Sequence, residues 1–316
     1  MERRLGQPAE ARTLLERALA IREQTLGPWD EQTAIDLNNL GLVYQSLGDL
    51  QLARRSFERA LAIHERNRGP DHPLVAGTLS NLGEALRQSG DLASALPPLE
   101  RALAIGEVAL GPDHRNTADW SNTLGSVYAD LKRYDDARRL FERAIGMYRR
   151  ALGPDHPYGA FATENLGHVE RAIGEHDRAL ALYDRALEIR LKAFGSEHVL
   201  IAQSLEFKGG LLVLMGDCRG AEPVLRRALE LGRRLSRPDH SRIGRASSAL
   251  GSCLAATGRM AEAEPLLLEG VRILQAEEGP IHEDTRMALS RTAAMYQAWG
   301  KPTEASSYAR AAADRP

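Results

Sequence analysis

Six of the nine histidines recur at one spacing: His72, His114, His156, His198, His240 and His282 stand 42 residues apart. A row of imidazoles suggests a metal, because the neutral ring is a common ligand. The spacing argues otherwise. Positions one repeat apart are separated by at least one helix-packing distance, about 8–10 Å, while zinc takes its ligands at about 2 Å. One histidine per repeat does not converge on one ion, so no metal is expected. The histidines are assigned to turns, beside Asp71-type residues expected to cap the following helix. Cys218 and Cys253 each occur once, off the repeat pattern. They are read as packing residues, not as nucleophiles, a disulfide framework or a zinc site. The chain has no phosphate-binding glycine loop, no His-Glu-x-x-His helix and no Gly-x-Ser-x-Gly elbow. It is therefore expected not to be an enzyme and to carry no cofactor.

A second set of residues is suited to recognition. Asn39, Asn81 and Asn165, with Thr123 between them, fall on one 42-residue grid, and Asn38 and Asn122 precede two of its positions. Asparagine carries both donors and an acceptor. One such amide per repeat could hold an extended peptide through its backbone without reading its side chains. Equally, these amides could bond the neighbouring helix and serve the fold; both readings stand at this point. Further along, the grid becomes Phe207, Ala249 and Arg291, so the ladder stops. Arg87 and Arg171 would add charge beside it, and Phe161 with His168 would form a pocket. Asp119, Glu164 and Glu206 mix acidic groups among them, which speaks against a uniformly basic clamp for a C-terminal carboxylate.

The elements that must position these residues are set by the period. Gly41 recurs as Gly83, Gly125, Gly167, Gly209 and Gly251; Ala53 recurs as Ala95, Ala137, Ala179, Ala221, Ala263 and Ala305. Pro28 recurs through Pro70, Pro112, Pro154, Pro238 and Pro280, with Ser196 the one substitution. Within a period, Leu37, Leu40, Tyr44 and Leu47 follow helical spacing. Gly48-Asp49 ends that run, and Ala53, Phe57, Ala60 and Ile63 form a second amphipathic helix. The small residues let the paired helices approach closely, and Leu40 and Phe57 fill the space between them.

The order Leu37, Leu40, Gly41, Tyr44, Ala53, Phe57, Ala60 resembles the tetratricopeptide signature. The period is eight residues longer than the usual 34. That length, with Asn38-Asn39-Leu40-Gly41 and Arg59-Ala60-Leu61-Ala62-Ile63, resembles the kinesin-light-chain type of repeat. The resemblance covers essentially the whole chain. It implies an all-α, right-handed α-solenoid, a superhelix of helix-turn-helix repeats, with the first helix of each pair lining a concave groove. It also implies a peptide-holding role for Asn39, Asn81 and Asn165, and a protein-interaction scaffold as the function.

On this register, residues 8–26 form a second helix without its first, and seven pairs follow: 31–67, 73–109, 115–151, 157–193, 199–235, 241–277 and 283–314. The whole of 1–316 reads as one repeat array. The opening helix leaves Leu14, Leu15 and Ile21 short of cover; it reads either as an N-terminal cap or, since a cap should have a polar outer face, as the edge of a fragment of a longer protein, with self-association through that helix a further reading. In the fifth pair Lys208 replaces a buried leucine and must snorkel or find a partner. The net charge of -2 gives no reason to bind nucleic acid or an anionic membrane. The first residues lack the apolar run of a signal peptide, so a cytoplasmic location is expected. The alternative to a free scaffold is a ligand-sensing or regulatory segment of a larger signalling, ATPase or protease-like protein.

Overall fold

The computed structural model describes residues 8–237 and 240–313. Pro238, one of the recurring turn prolines, and residue 314, the last of the seventh pair, lie outside the described residues. Among the described residues the secondary structure is helical throughout. Helix α1 (Pro8–Thr25) is followed by α2 (Glu31–Leu47) and α3 (Leu50–Arg68), α4 (Pro73–Gln88) and α5 (Leu92–Ala109), then α6 (Arg115–Asp130) and α7 (Tyr134–Leu152). Next come α8 (Pro157–Ala172) and α9 (His176–Phe194), α10 (Val199–Leu214) and α11 (Cys218–Leu235). Helices α12 (Ser241–Ala256), α13 (Met260–Glu277), α14 (Glu283–Ala298) and α15 (Pro302–Ala313) complete the chain. Two compact units are distinguished, one ending at Asn165 and the other beginning at Leu166, inside α8.

Helix starts follow local chemistry. Asp30 Oδ1 accepts the Gln32 N–H at 2.8 Å and so satisfies one of the orphan donors of α2. The turn histidines do the same elsewhere: His72 Nδ1 accepts from Leu74 N at 3.1 Å. His114, His156, His198, His240 and His282 cap the next first helix in the same way. This corrects the expectation that Asp71-type residues would be the caps. Imidazole wins because its Nδ1 reaches the N–H two residues on from an extended cap backbone, as at His72 with ψ 144.

Helix ends use the left-handed region. Gly48 closes α2 at φ 81, with its N–H bonded to the last carbonyls. The equivalent position after α6 is Lys132, which holds φ 59 and is the one non-glycine at positive φ among the described residues. A side chain there carries a steric cost of about 1–2 kcal/mol that glycine avoids.

The small-residue grid is explained by what stands above it. A Cβ added to Gly41 would lie 2.5 Å from Phe57 Cε1, one on Gly83 would lie 2.4 Å from Leu99 Cγ, and one on Gly125 would lie 2.9 Å from Phe141 Cε1. In the second unit Gly167, Gly209 and Gly251 meet Tyr183, Leu225 and Leu267 in the same way. Phe57, Leu99 and Leu225 are fully buried. Each such burial contributes about 1.5–3 kcal/mol, available only because the facing glycine lets the helices close.

Lys208 finds a partner, with Nζ 2.6 Å from Asp184 Oδ1 and the side chain about one-quarter exposed at 24%. Cys218, the first residue of α11, and Cys253, in α12, form a disulfide with their Cα atoms 5.1 Å apart. This corrects the reading of them as two separate packing residues. They are 35 residues apart, off the 42-residue grid, so periodicity could not pair them; packing of α11 against α12 does.

Candidate functional site

The first helix of each pair positions the asparagines, and in the first unit they meet in pairs. Asn81 Nδ2 on α4 donates to Asn38 Oδ1 on α2 at 3.0 Å. Asn165 Nδ2 on α8 donates to Asn122 Oδ1 on α6 at 3.1 Å. Each bond links a residue on the Asn39 grid to one on the Asn38 grid of the preceding repeat. All four amides are half-buried. Each uses one bond of its several, so every pair retains a carbonyl and N–H groups for a further partner. Asn39 is exposed, and Thr123 turns its hydroxyl inward to the Asp119 carbonyl oxygen at 3.0 Å.

The neighbouring charged and aromatic residues are held in different ways. Arg87 is gripped by Glu84 through two bonds of 2.8 Å and by Asp130 at 2.7 Å. Its hydrogen bonds to Glu84 raise the guanidinium pKa still further. Tyr148 OH donates to Asp119 Oδ1 at 2.6 Å, and Arg115 lies 4.2 Å over the Tyr158 ring. Burial holds the Asp119 carboxyl above its ordinary pKa. Phe161 stays exposed at 39%.

In the second unit His168 bonds Tyr183 OH at 2.7 Å and stands edge-on to Phe207 with ring centres 4.5 Å apart. Burial, reinforced by the charges of Arg171, Arg190 and Arg245, holds its pKa down to about 3, so the ring is neutral near pH 7. Arg171 is exposed and lines a cavity of this unit. One carboxylate–histidine group forms there: ligand atoms of Glu278, His282 and Asp284 lie within 4.8 Å of one another. The positive charge among them is Arg245, whose Nη1 donates to Glu278 Oε1 at 3.0 Å and to Asp284 Oδ2 at 3.4 Å. His282 Nδ1 is already engaged as a helix cap. The residues are thus organised around a guanidinium.

Sequence reasoning missed the fully buried Arg190, which reaches Ser204 Oγ at 2.7 Å. It allowed the asparagines a bond to the neighbouring helix but did not pair Asn38 with Asn81 or Asn122 with Asn165. An offset of 43 residues was the available signal, one more than the period. Among the described residues no helix is long and apolar enough to cross a membrane.

Comparison with known proteins agrees with this architecture. The tetratricopeptide repeat family profile matches residues 1–66, 32–107, 99–150, 116–190, 160–234 and 242–315. No curated protein sequence matches the chain. Among solved structures, the chain is similar to BtubC (BKLC) from P. vanneervenii at 22% identity, covering 72% of this chain and 91% of that one, with a TM-score of 0.60. A putative kinesin light chain of Podosopora anserina with nearly identical repeats matches at 21% identity, covering 65% and 97%, with a TM-score of 0.55. The apo form of the quorum sensor NprR from B. thuringiensis matches at 13% identity, covering 95% and 81%, with a TM-score of 0.70.

Proposed function

Because the chain belongs to the tetratricopeptide repeat family, we propose that it is a protein-interaction scaffold, and that the first-helix face of its first unit holds an extended peptide by its backbone. The observation that carries this reading is the pair of asparagine bonds, Asn38 with Asn81 and Asn122 with Asn165. Both readings of the ladder are accommodated: each pair joins neighbouring repeats and, in doing so, fixes the direction of its remaining polar groups. A side chain locked in advance loses little freedom on binding, so its hydrogen bonds contribute more to affinity. A face of amides that bonds main chain selects conformation more than sequence, and the fixed Arg87 beside it would tune which peptides fit.

The test is a random-peptide display selection on the purified chain, followed by affinities of the selected peptides. The variant Asn38→Ala, Asn81→Ala, Asn122→Ala, Asn165→Ala removes up to four net bonds of about 0.5–1.5 kcal/mol each. Affinity should fall at least tenfold while circular dichroism stays helical. Methylating the peptide backbone nitrogens should cost a similar factor. A folded variant that binds as tightly as the parent would show the asparagines to be structural alone.

A further inference from the structure

A cavity of about 220 Å³ in the second unit is lined by Arg171 of α8, Glu206 of α10, Arg245 and Ser248 of α12, and Arg291 of α14. Three of them stand on the register of the asparagines: Glu206 and Ser248 follow Asn38 in steps of 42, and Arg291 follows Asn39. The asparagine positions are therefore taken here by two charged side chains and a hydroxyl. Three arginines and three carboxylates, from Glu206, Glu283 and Asp284, line the wall. Formal charge balances, so a ligand of net charge gains nothing overall.

The balance hides two unmet groups. Arg245 is paired with carboxylates, its Nε on Glu206 Oε1 at 3.3 Å and its Nη1 on Glu278 and Asp284. Glu206 is only 7% exposed, and its Oε2 has no hydrogen-bond donor. Burial accordingly raises its pKa. Arg291 reaches only a neutral group, Ser248 Oγ at 3.3 Å, and no carboxylate pairs with it among the described residues. Burial lowers the pKa of that guanidinium. A buried carboxylate oxygen without a donor is costly, and a half-buried guanidinium that hydrogen-bonds only a hydroxyl keeps donors to spare although Asp284 and Glu206 lie near enough to act on its charge; one partner carrying both charges would engage the two.

We propose that this cavity binds a free α-amino acid with a short apolar side chain. Its carboxylate would meet Arg291 with Arg171, its ammonium would meet Glu206, and its side chain would lie against Met287 and Leu274, which also line the wall. The size fits: at roughly 30 Å³ per water the space equals about seven waters. That is below the ~300–1,000 Å³ typical for drug-sized ligands, and it is enough for one amino acid. The inference goes beyond the peptide reading, since none of the paired asparagines lines the cavity.

The test is calorimetric titration of the full chain with L-alanine, L-valine, L-leucine and L-methionine, with L-valinamide and N-acetyl-L-valine as controls. Saturable binding of at least one of the four is expected. The amide lacks the carboxylate and the acetyl derivative lacks the ammonium, so each should bind at least tenfold more weakly than valine. Arg291→Gln and Glu206→Gln should each weaken amino-acid binding at least tenfold and leave peptide binding intact. If Glu206→Gln fails to fold, Arg291→Lys serves: it keeps the charge but loses the two-pronged contact, and a clear loss is expected. No saturable binding of any of the four to the folded parent overturns the proposal. So does N-acetyl-L-valine binding as well as valine, or an Arg291→Gln variant that binds normally.

Discussion

Two glycines on one helix separate the role of close packing from that of helix propensity. Gly83 and Gly77 both lie within α4. A Cβ on Gly83 would stand 2.4 Å from Leu99 Cγ, 2.8 Å from Cδ2 and 3.0 Å from Cδ1, whereas a Cβ on Gly77 meets nothing within 4 Å. Leu99 is fully buried, so it has no free space to retreat into. Alanine at either site gains roughly 0.5–1 kcal/mol, because glycine loses more backbone freedom on folding. At Gly83 that gain is opposed by overpacking, worth typically about 1–3 kcal/mol. The propensity gain cancels between the two variants, so Gly77→Ala should be the more stable by about 1–3 kcal/mol. Urea unfolding followed by far-ultraviolet circular dichroism reads this directly. With m of about 1–3 kcal/mol/M the midpoints should differ by roughly 1 M. The double variant Gly83→Ala, Leu99→Ala supplies the check on cause. Leu99→Ala alone opens a cavity costing about 2–5 kcal/mol, and the new methyl should recover part of it, giving a favourable coupling above about 0.5 kcal/mol. If Gly83→Ala unfolds at or above the midpoint of Gly77→Ala, the glycine grid is not a packing device and the reasoning fails.

Two more outcomes follow from buried chemistry. His168 titrates near 3 in the folded chain, against an ordinary 6.5. Between those values the unfolded chain binds one proton more, so stability rises with pH and is lost as pH falls from about 6.5, by up to about 1.4 kcal/mol per unit. The urea midpoint measured from pH 7 to 5 should therefore decline, and His168→Gln should flatten that slope; an identical slope in the variant would exclude His168 as its source. The Cys218–Cys253 bridge spans 35 residues, so loop-closure entropy assigns it about 4 kcal/mol. Dithiothreitol should lower the urea midpoint of the parent and leave a Cys218→Ser variant unmoved, whereas a parent indifferent to reductant would show the bridge to contribute nothing.

The repeat was legible in the sequence because its physics is local and recurs. A helix stripe with Leu37, Leu40 and Tyr44, ended by Gly48, needs only neighbouring residues to declare itself. Gly41 and Phe57 are 16 residues apart, within one helix pair, so their contact repeats with the period. The site was legible only in outline. Register placed Arg171 and Glu206 among first-helix positions off the packing grid, and both line the cavity of the second unit. It did not reveal which side chains would be left without partners.

That division has one physical source. By itself the sequence determined the all-α class, the repeat family and the helix-pair register, because these depend on spacing along the chain. Tertiary structure decided what depends on distance in space. Examples are the histidine rather than Asp71 at the helix cap, and the offset of 43 residues that joins asparagines across repeats. The disulfide off the grid belongs with them. So does the burial that leaves Glu206 Oε2 without a donor while Arg291 reaches only a hydroxyl. A repeating sequence states the average environment of each position. Partners are chosen by the particular neighbours that packing brings within about 3 Å, and where those neighbours depart from the repeat, only the folded chain records the result.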